Sequence, residues 1–377
     1  MKQVMLRRAV VAVAGAGLAA GVLMGGCTQQ RTAGTGPLVG DQVQRRGDEI
    51  MVAGRLFHTG APVVLWTDPG GYDAYRVEKR FGPLERSGWE AVAKEGRGPK
   101  EPARYNPRFF RFAEKQPEPW PGHKLSEQQI AKFRGGGWDL ESLREVVDQF
   151  VLHYDVCGTA KVCFRVLHDA RGLSVHFLLD IDGTIYQTLD VKERAWHATT
   201  SNDRSVGIEI ANMGAYAVNE KDPLDKWYKK DANGRTVITI PPELGDGGVR
   251  TPGFVGRPRF DAPVLGVIQG VERRMYDLTP EQYDSLIKLT AALHVALPKI
   301  RLDYPRGEDG KVLPRKLPDE QLKAFTGVIG HYHIQEDKAD PGPAFDWEYV
   351  VNGARELVAK RTPRDGSGPG KPAKSQQ

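Results

Sequence analysis

The chain has 377 residues, 40% of them hydrophobic, 27% charged and 8% aromatic, which is enough apolar material for a domain-sized core and excludes a disordered or collagen-like protein. Its formal charge is +5, yet three positive charges fall in residues 1–26 and a net four in residues 360–377, so residues 27–359 are close to neutral, at −2. That balance gives no electrostatic case for a nucleic-acid partner, and 43 Gly with 26 Pro point to one loop-rich domain with extended flanks.

Lys2, Arg7 and Arg8 precede an uncharged stretch, residues 9–26, rich in small and apolar residues. This reads as a signal peptide over residues 1–26. Leu23-Met24-Gly25-Gly26-Cys27 resembles the lipobox of bacterial lipoproteins, with Met24 where the usual pattern has Leu. The resemblance implies lipidation of Cys27, export to the cell envelope, and anchoring in the periplasm or at the outer membrane. Residues 27–48 are polar and suit a tether. Residues 49–137 hold short apolar pieces at 50–52, 63–66 and 109–112 without sustained periodicity, and are expected to form an extended leader packed on a main domain, residues 138–359. Residues 360–377 read as a flexible basic tail.

Within the main domain Asp139 is placed to cap a helix carrying Leu140, Leu143, Val146 and Val147. A short strand over residues 150–154 follows. Residues 176–181 and 184–189 flank Asp182-Gly183, which predicts a hairpin whose two central residues take positive φ. Residues 205–211 alternate, with Val206, Ile208 and Ile210 on one face and Gly207, Glu209 and Ala211 on the other. Residues 212–275 read as a long looped insertion. Thr279-Pro280-Glu281 then opens a helix with Tyr283, Leu286, Ile287, Leu289 and Leu293 at helical spacing. A last strand is expected over residues 328–333, on which His331 and His333 alternate, so that only one faces any one site. Lys338 and Asp340 share a face if their stretch is extended, and Pro341 and Pro343 stiffen the loop beyond Asp340.

Nine histidines are spread along the chain, with no H-E-x-x-H pair to mark a metal site by spacing. His58, His123, His168 and His294 read as ordinary core or surface residues. Cys157 and Cys163 sit in a chain expected to be exported, where a disulfide is the first reading and metal ligation by one of them the alternative.

The segments Phe150-Val151-Leu152-His153-Tyr154, Ser174-Val175-His176-Phe177 with Asp182-Gly183-Thr184-Ile185-Tyr186-Gln187, Ala195-Trp196-His197-Ala198, Ser205-Val206-Gly207-Ile208-Glu209-Ile210, and Gly330-His331 followed by Lys338-Ala339-Asp340-Pro341-Gly342-Pro343 occur in a family order. The chain resembles the zinc-dependent N-acetylmuramoyl-L-alanine amidases of the amidase-2 family, which are related to peptidoglycan recognition proteins. The resemblance spans roughly residues 138–350. It implies an α/β fold with a central mixed β-sheet flanked by helices, a zinc ion, and hydrolysis of the amide between the muramic-acid lactyl group and L-Ala in peptidoglycan or muropeptides.

Carried over by these blocks, His153, His331 and Asp340 match the zinc ligands. Two neutral imidazoles and a carboxylate leave a fourth tetrahedral position for water, whose pKa zinc lowers to about 7. Glu209 matches the general base that then serves as acid to the leaving amine. Lys338 matches the lysine that stabilises the developing oxyanion. His197 lies in a block that borders the substrate groove and is expected to contact sugar or peptide. Residues 212–275 and 304–322 depart from a minimal family domain. Two other readings remain at this point: a non-catalytic peptidoglycan-binding module, and a zinc peptidase acting within the stem peptide. The oligomeric state is open.

Overall fold

In the computed structural model residues 36–76 and 139–361 are described. The expected signal peptide, Cys27, most of the tether, the leader beyond residue 76 and the tail beyond residue 361 lie outside the described residues. Strand formation starts early: β1 (Glu49–Val52) and β2 (Arg55–His58) form an antiparallel hairpin, and β3 (Val63–Leu65) follows. Beyond the undescribed stretch come α1 (Leu140–Val146), β4 (Gln149–Tyr154), α2 (Ala160–Phe164) continued by a π-helical turn, β5 (Phe177–Leu179), β6 (Ile185–Gln187) and β7 (Ser205–Ile210). Next are β8 (Tyr216–Ala217), α3 (Leu224–Trp227), β9 (Tyr228–Lys230), β10 (Thr236–Ile238), β11 (Val264–Ile268), β12 (Val271–Met275) and α4 (Pro280–Ala296). The described chain closes with α5 (Asp319–Ala324), β13 (Gly327–Gly330), a 3₁₀ turn (His331–His333) and α6 (Trp347–Ala359). Among the described residues no helix is long and apolar enough to cross a membrane.

Six strands make the central sheet in the order β13-β4-β7-β5-β6-β3. All neighbours run parallel except the β5–β6 hairpin, so the sheet is mixed, as the fold class required. Strand alternation divides its two faces. Phe150 and Leu152 of β4 and Val206, Ile208 and Ile210 of β7 join the main core with Leu286, Leu289 and Leu293 of α4 and Val350 and Val351 of α6. The intervening positions, His153 on β4 and Glu209 on β7, are therefore on the other face, and they are partners in the parallel register. On that face α2 packs Ala160, Cys163 and Phe164 with Leu178 and Tyr186.

The two helices expected from their caps form where their local chemistry predicts them. The Asp139 side chain accepts from Ser142 N at the start of α1, and Thr279 with Gln282 forms a capping box at the start of α4. The β5–β6 turn differs from expectation. Only Gly183 has positive φ, at 81°, and its N–H donates to the Asp180 carbonyl, so Ile181 and Asp182 make the turn and Gly183 takes the left-handed position that returns the chain to the strand. Residues 212–275 are more than loops, since they contain β8 to β12 in two small sheets. The last strand ends at Gly330, and His331 and His333 stand on a 3₁₀ turn instead of alternating on a strand.

Arg204 clamps the lower ends of three central strands. Its Nε donates to Asp148 Oδ1 at 2.6 Å, its Nη2 donates to Asp148 Oδ2, and its guanidinium also donates to the carbonyls of Lys323 (2.7 Å) and Phe325 (3.1 Å). Asp148 and Gln149 in turn donate their N–H groups to the Arg204 carbonyl, and Gly327 donates to that of Asp148. Burial pushes the Asp148 carboxyl up, and Arg204 opposes it.

His333 is fully buried, accepts from Gly330 N at Nδ1 (3.0 Å) and donates from Nε2 to the Leu313 carbonyl (2.8 Å). Burial lowers its pKa to about 3, from 6.5. The unfolded chain then binds a proton that the folded chain refuses, so this contribution to stability is fully present above pH 6.5 and is lost progressively as pH falls toward 3. The loss is at most about 1.4 kcal/mol per pH unit. Urea midpoints across this window should show it, and His333→Gln should flatten the pH dependence between about pH 4 and 6.

Candidate active site

Three side chains meet above the sheet because three segments end there. His153 comes from the upper end of β4, His331 opens the turn after β13, and β13 runs parallel beside β4. Asp340 is brought back by its own carbonyl, which accepts from Tyr332 N. His153 Nδ1 lies 3.0 Å from His331 Nδ1 and 2.8 Å from Asp340 Oδ2, and His331 Nδ1 lies 2.9 Å from the same oxygen. All three side chains are buried, and together they are a group able to hold a metal ion.

The far ring nitrogens decide what this triangle offers. His153 Nε2 is 2.9 Å from His197 Nδ1, and His331 Nε2 is 2.7 Å from Gln335 Oε1. Neutral imidazoles that donate from Nε2 to these acceptors leave both Nδ1 lone pairs facing the Asp340 oxygen. Three acceptor atoms some 3 Å apart repel one another unless a cation joins them. Their spacing approaches the ~3.3 Å edge of a tetrahedron with ~2.0 Å bonds, the zinc–nitrogen length. The donor set of two imidazoles and one carboxylate thus fits zinc with one position open.

Titration tells the same story. Burial, and then the His331 charge, drive His153 down to about 4. Burial also lowers His331, but the Asp340 charge and its hydrogen bond outweigh it and the net shift is upward. Burial opposes ionisation of Asp340, yet His331 and the imidazole hydrogen bonds hold its carboxyl well below the usual range.

An open cleft of about 420 Å³ leads to the triangle, walled by Trp196, His197, Glu209, Arg171, Cys157 and Lys338 among others. Glu209 is buried, and that burial, followed by the nearby Asp340 and Asp155, raises its pKa well above the ordinary value. Lys338 is about one-third exposed and pairs with Asp337 at 2.9 Å, so its ammonium stands at the cleft rim within a solvated pair. His197 lines the wall as well, but both its ring nitrogens are occupied: Nδ1 by His153, and Nε2 by Ser205 Oγ at 3.2 Å. The first of these contacts makes it a support for His153.

Cys157 and Cys163 are both free thiols, which corrects the expected disulfide. They adjoin, and the hydrogen bond with Cys157 followed by burial keeps the Cys163 thiol well above its usual pKa. Neither cysteine belongs to the metal-holding group. His176 is buried away from the triangle, accepting from Gly207 N and donating to the Glu193 carbonyl.

Gln335, Ser205 and Asp155 are contributors that sequence reasoning missed. Gln335 stands four residues after His331, a spacing that could have exposed it. Asp155, next but one to His153, accepts at Oδ1 from the N–H groups of Cys157, Gly158 and Asn212, and its burial raises its pKa to about 7. It fixes the cleft wall beside Glu209.

Gly207 shows how tightly His197 is held. A β-carbon there would lie 2.5 Å from His197 Cε1 and 2.6 Å from Nδ1. Gly207→Ala should displace the ring, release His153 Nε2, and weaken metal binding at the triangle about 10- to 100-fold, the usual cost of losing such an outer partner. Competition with a chelating dye measures this, and unchanged affinity would show that His197 does not position His153.

Residues 143–343 match the family model Amidase_2, described as N-acetylmuramoyl-L-alanine amidase. No curated protein matches the chain. Among solved structures it is similar to the N-acetylmuramyl-L-alanine amidase AmiD from E. coli, in complex with anhydro-N-acetylmuramic acid-L-Ala-D-gamma-Glu-L-Lys, at 19% identity and TM-score 0.31 over 55% of this chain and 57% of that one. The likeness to AmpD is 19% identity and TM-score 0.27 over 57% and 86%, and that to the endolysin amidase LysCS from Clostridium intestinale URNW is 17% and 0.27 over 58% and 86%. The chain thus spans little more than half of the AmiD chain.

Proposed function

The chain belongs to the Amidase_2 family of N-acetylmuramoyl-L-alanine amidases, and from that premise we propose that it uses zinc to hydrolyse the amide between the lactyl group of N-acetylmuramic acid and L-Ala in peptidoglycan or muropeptides. The observation that carries the zinc reading is the triangle of His153 Nδ1, His331 Nδ1 and Asp340 Oδ2, with Nε2 of each imidazole set against an acceptor. Zinc bound there supplies Lewis acidity toward a carbonyl oxygen and toward water.

The protein's own residues account for the proton traffic. Glu209, on the strand beside His153, takes the proton from the attacking water and passes it to the leaving L-Ala nitrogen, so one carboxyl serves both halves of the reaction. Its burial keeps its proton affinity high enough for the return step. The Lys338 ammonium leaves Asp337 to meet the negative charge developing on the carbonyl oxygen, a role whose loss costs about 3 kcal/mol in comparable hydrolases. His197 holds His153 and forms part of the wall against which sugar or peptide lies. We further propose that Cys27 carries a lipid anchor that keeps the enzyme in the cell envelope.

Incubation of the zinc-loaded protein with purified muropeptides, read by mass spectrometry, tests the reading. Peptides with free L-Ala amino termini and peptide-free muramic acid are the expected products. Shortened peptides still attached to sugar would assign a peptidase, and binding without cleavage a recognition module. Chelation should abolish hydrolysis and added zinc restore it.

A further inference from the structure

A second group of metal-type side chains lies outside the cleft, at the open end of the β1–β2 hairpin. Glu49 and His58 are register partners there, and Asp48 precedes Glu49. The three residues each offer a ligand atom within 4.8 Å of the other two. Glu49 is fully buried. Its Oε2 is saturated, accepting from Arg45 Nη1 (3.1 Å) and from the backbone N–H groups of Arg46 (2.7 Å), Gly47 (3.0 Å) and Asp48 (3.3 Å). Those donors fix the carboxylate, yet its other oxygen, Oε1, is buried with no hydrogen-bond partner. The same is true of Asp48 Oδ1, while His58 Nδ1 pairs with Asp48 Oδ2 at 3.0 Å.

Buried polar atoms in folded proteins are nearly always partnered, and two orphaned carboxylate oxygens in one cluster require an explanation. The backbone holds the cluster in place, because the Asp48 carbonyl accepts from both Thr59 N (2.9 Å) and Thr59 Oγ1 (2.7 Å). Charge points the same way. One guanidinium, that of Arg45, is shared by the Glu49 and Asp68 carboxylates, and Asp48 adds a third carboxylate beside the His58 imidazole. The Asp48 side chain is 31% exposed, which provides a way in.

We propose that Asp48, Glu49 and His58 form a second divalent-cation site, structural in role, that takes a transition ion such as Zn²⁺ or Mn²⁺. One imidazole with two carboxylates suits those ions better than the all-oxygen preference of Ca²⁺ or Mg²⁺. The ion clips the end of the hairpin whose tip is bonded to the central domain, where Ala53 N and Gly54 N donate to Asp190 at 2.7 Å each.

Metal content of the full chain, measured by atomic emission after zinc loading and gel filtration, tests this independently of the amidase reading. The parent should carry two zinc ions per chain. The His153→Ala/His331→Ala variant should keep one, and its melting temperature should still rise with added Zn²⁺ or Mn²⁺. His58→Ala and the more conservative Asp48→Asn should each lose one ion relative to the parent. A cleft double variant that binds no metal, or hairpin variants that bind as much as the parent, would overturn the second site.

Discussion

Glu209→Gln should lower the rate of amide hydrolysis by about 10²- to 10⁴-fold, the range associated with loss of a positioned acid–base group, while zinc content stays at the parent level. Glutamine keeps the size and polarity of the side chain and removes only its capacity to carry a proton. The position of Glu209 makes this a clean test. It is outside the triangle of metal-holding atoms, and its neighbours Asp340 and Asp155 together with burial oppose its ionisation, so an uncharged replacement should melt at or above the parent temperature. A loss of turnover with unaltered melting and metal content separates a chemical role from a structural one. If muropeptide turnover by Glu209→Gln stayed within about threefold of the parent, far below the usual acid–base contribution, the carboxyl would have no part in the reaction.

The largest effect on stability is expected at Arg204. Arg204→Ala should cost about 3–5 kcal/mol, because it leaves the Asp148 carboxylate buried without its partner. It also removes the donors to the Lys323 and Phe325 carbonyls, which loosens the approach to β13 and hence the placement of His331. Removing both partners, as in Asp148→Ala/Arg204→Ala, should cost less than the sum of the single changes, since no charge is then stranded. Urea denaturation gives both values. A single-variant cost below about 1 kcal/mol would place the pair among the weak, solvated ion pairs.

How much of this was legible in the sequence depended on the range of each interaction. The caps at Asp139 and Thr279 act over three residues, and the residue types that make them are sufficient to find them. The alternation in β7 put Glu209 opposite the apolar row, and that face is where the structure has it. His153, His331 and Asp340 were reached through ordered blocks that resemble a family, since no local spacing joins a strand to a turn after another strand. What escaped notice was set by distant partners. Val63, Val64 and Leu65 are too few to show a period, and they become a strand because Ile185 to Gln187 lies ready to pair with them. Arg204 carries no local signal, because its partner Asp148 stands 56 residues away. The 3₁₀ turn at His331 looked like strand because a two-residue alternation cannot distinguish the last strand residue from the first turn residue. The cysteine pair differs again: compartment and proximity in the sequence suggest a bond, and the structure has two adjacent free thiols.

Strand β3 has a practical meaning for where this protein can be cut. It covers the outer side of β6, and all three of its residues are buried, yet it precedes the family-matched segment that begins at residue 143. A protein begun at residue 143 would keep every residue of the metal-holding triangle and uncover the hydrogen-bonding groups of Ile185 to Gln187, a ready template for another chain. It would also strand Gln187, whose side chain accepts from Met51 N and donates to the Met51 carbonyl. Such a fragment should self-associate through β6, so the smallest soluble unit is set by the sheet's outer margin and not by the limits of the chemistry.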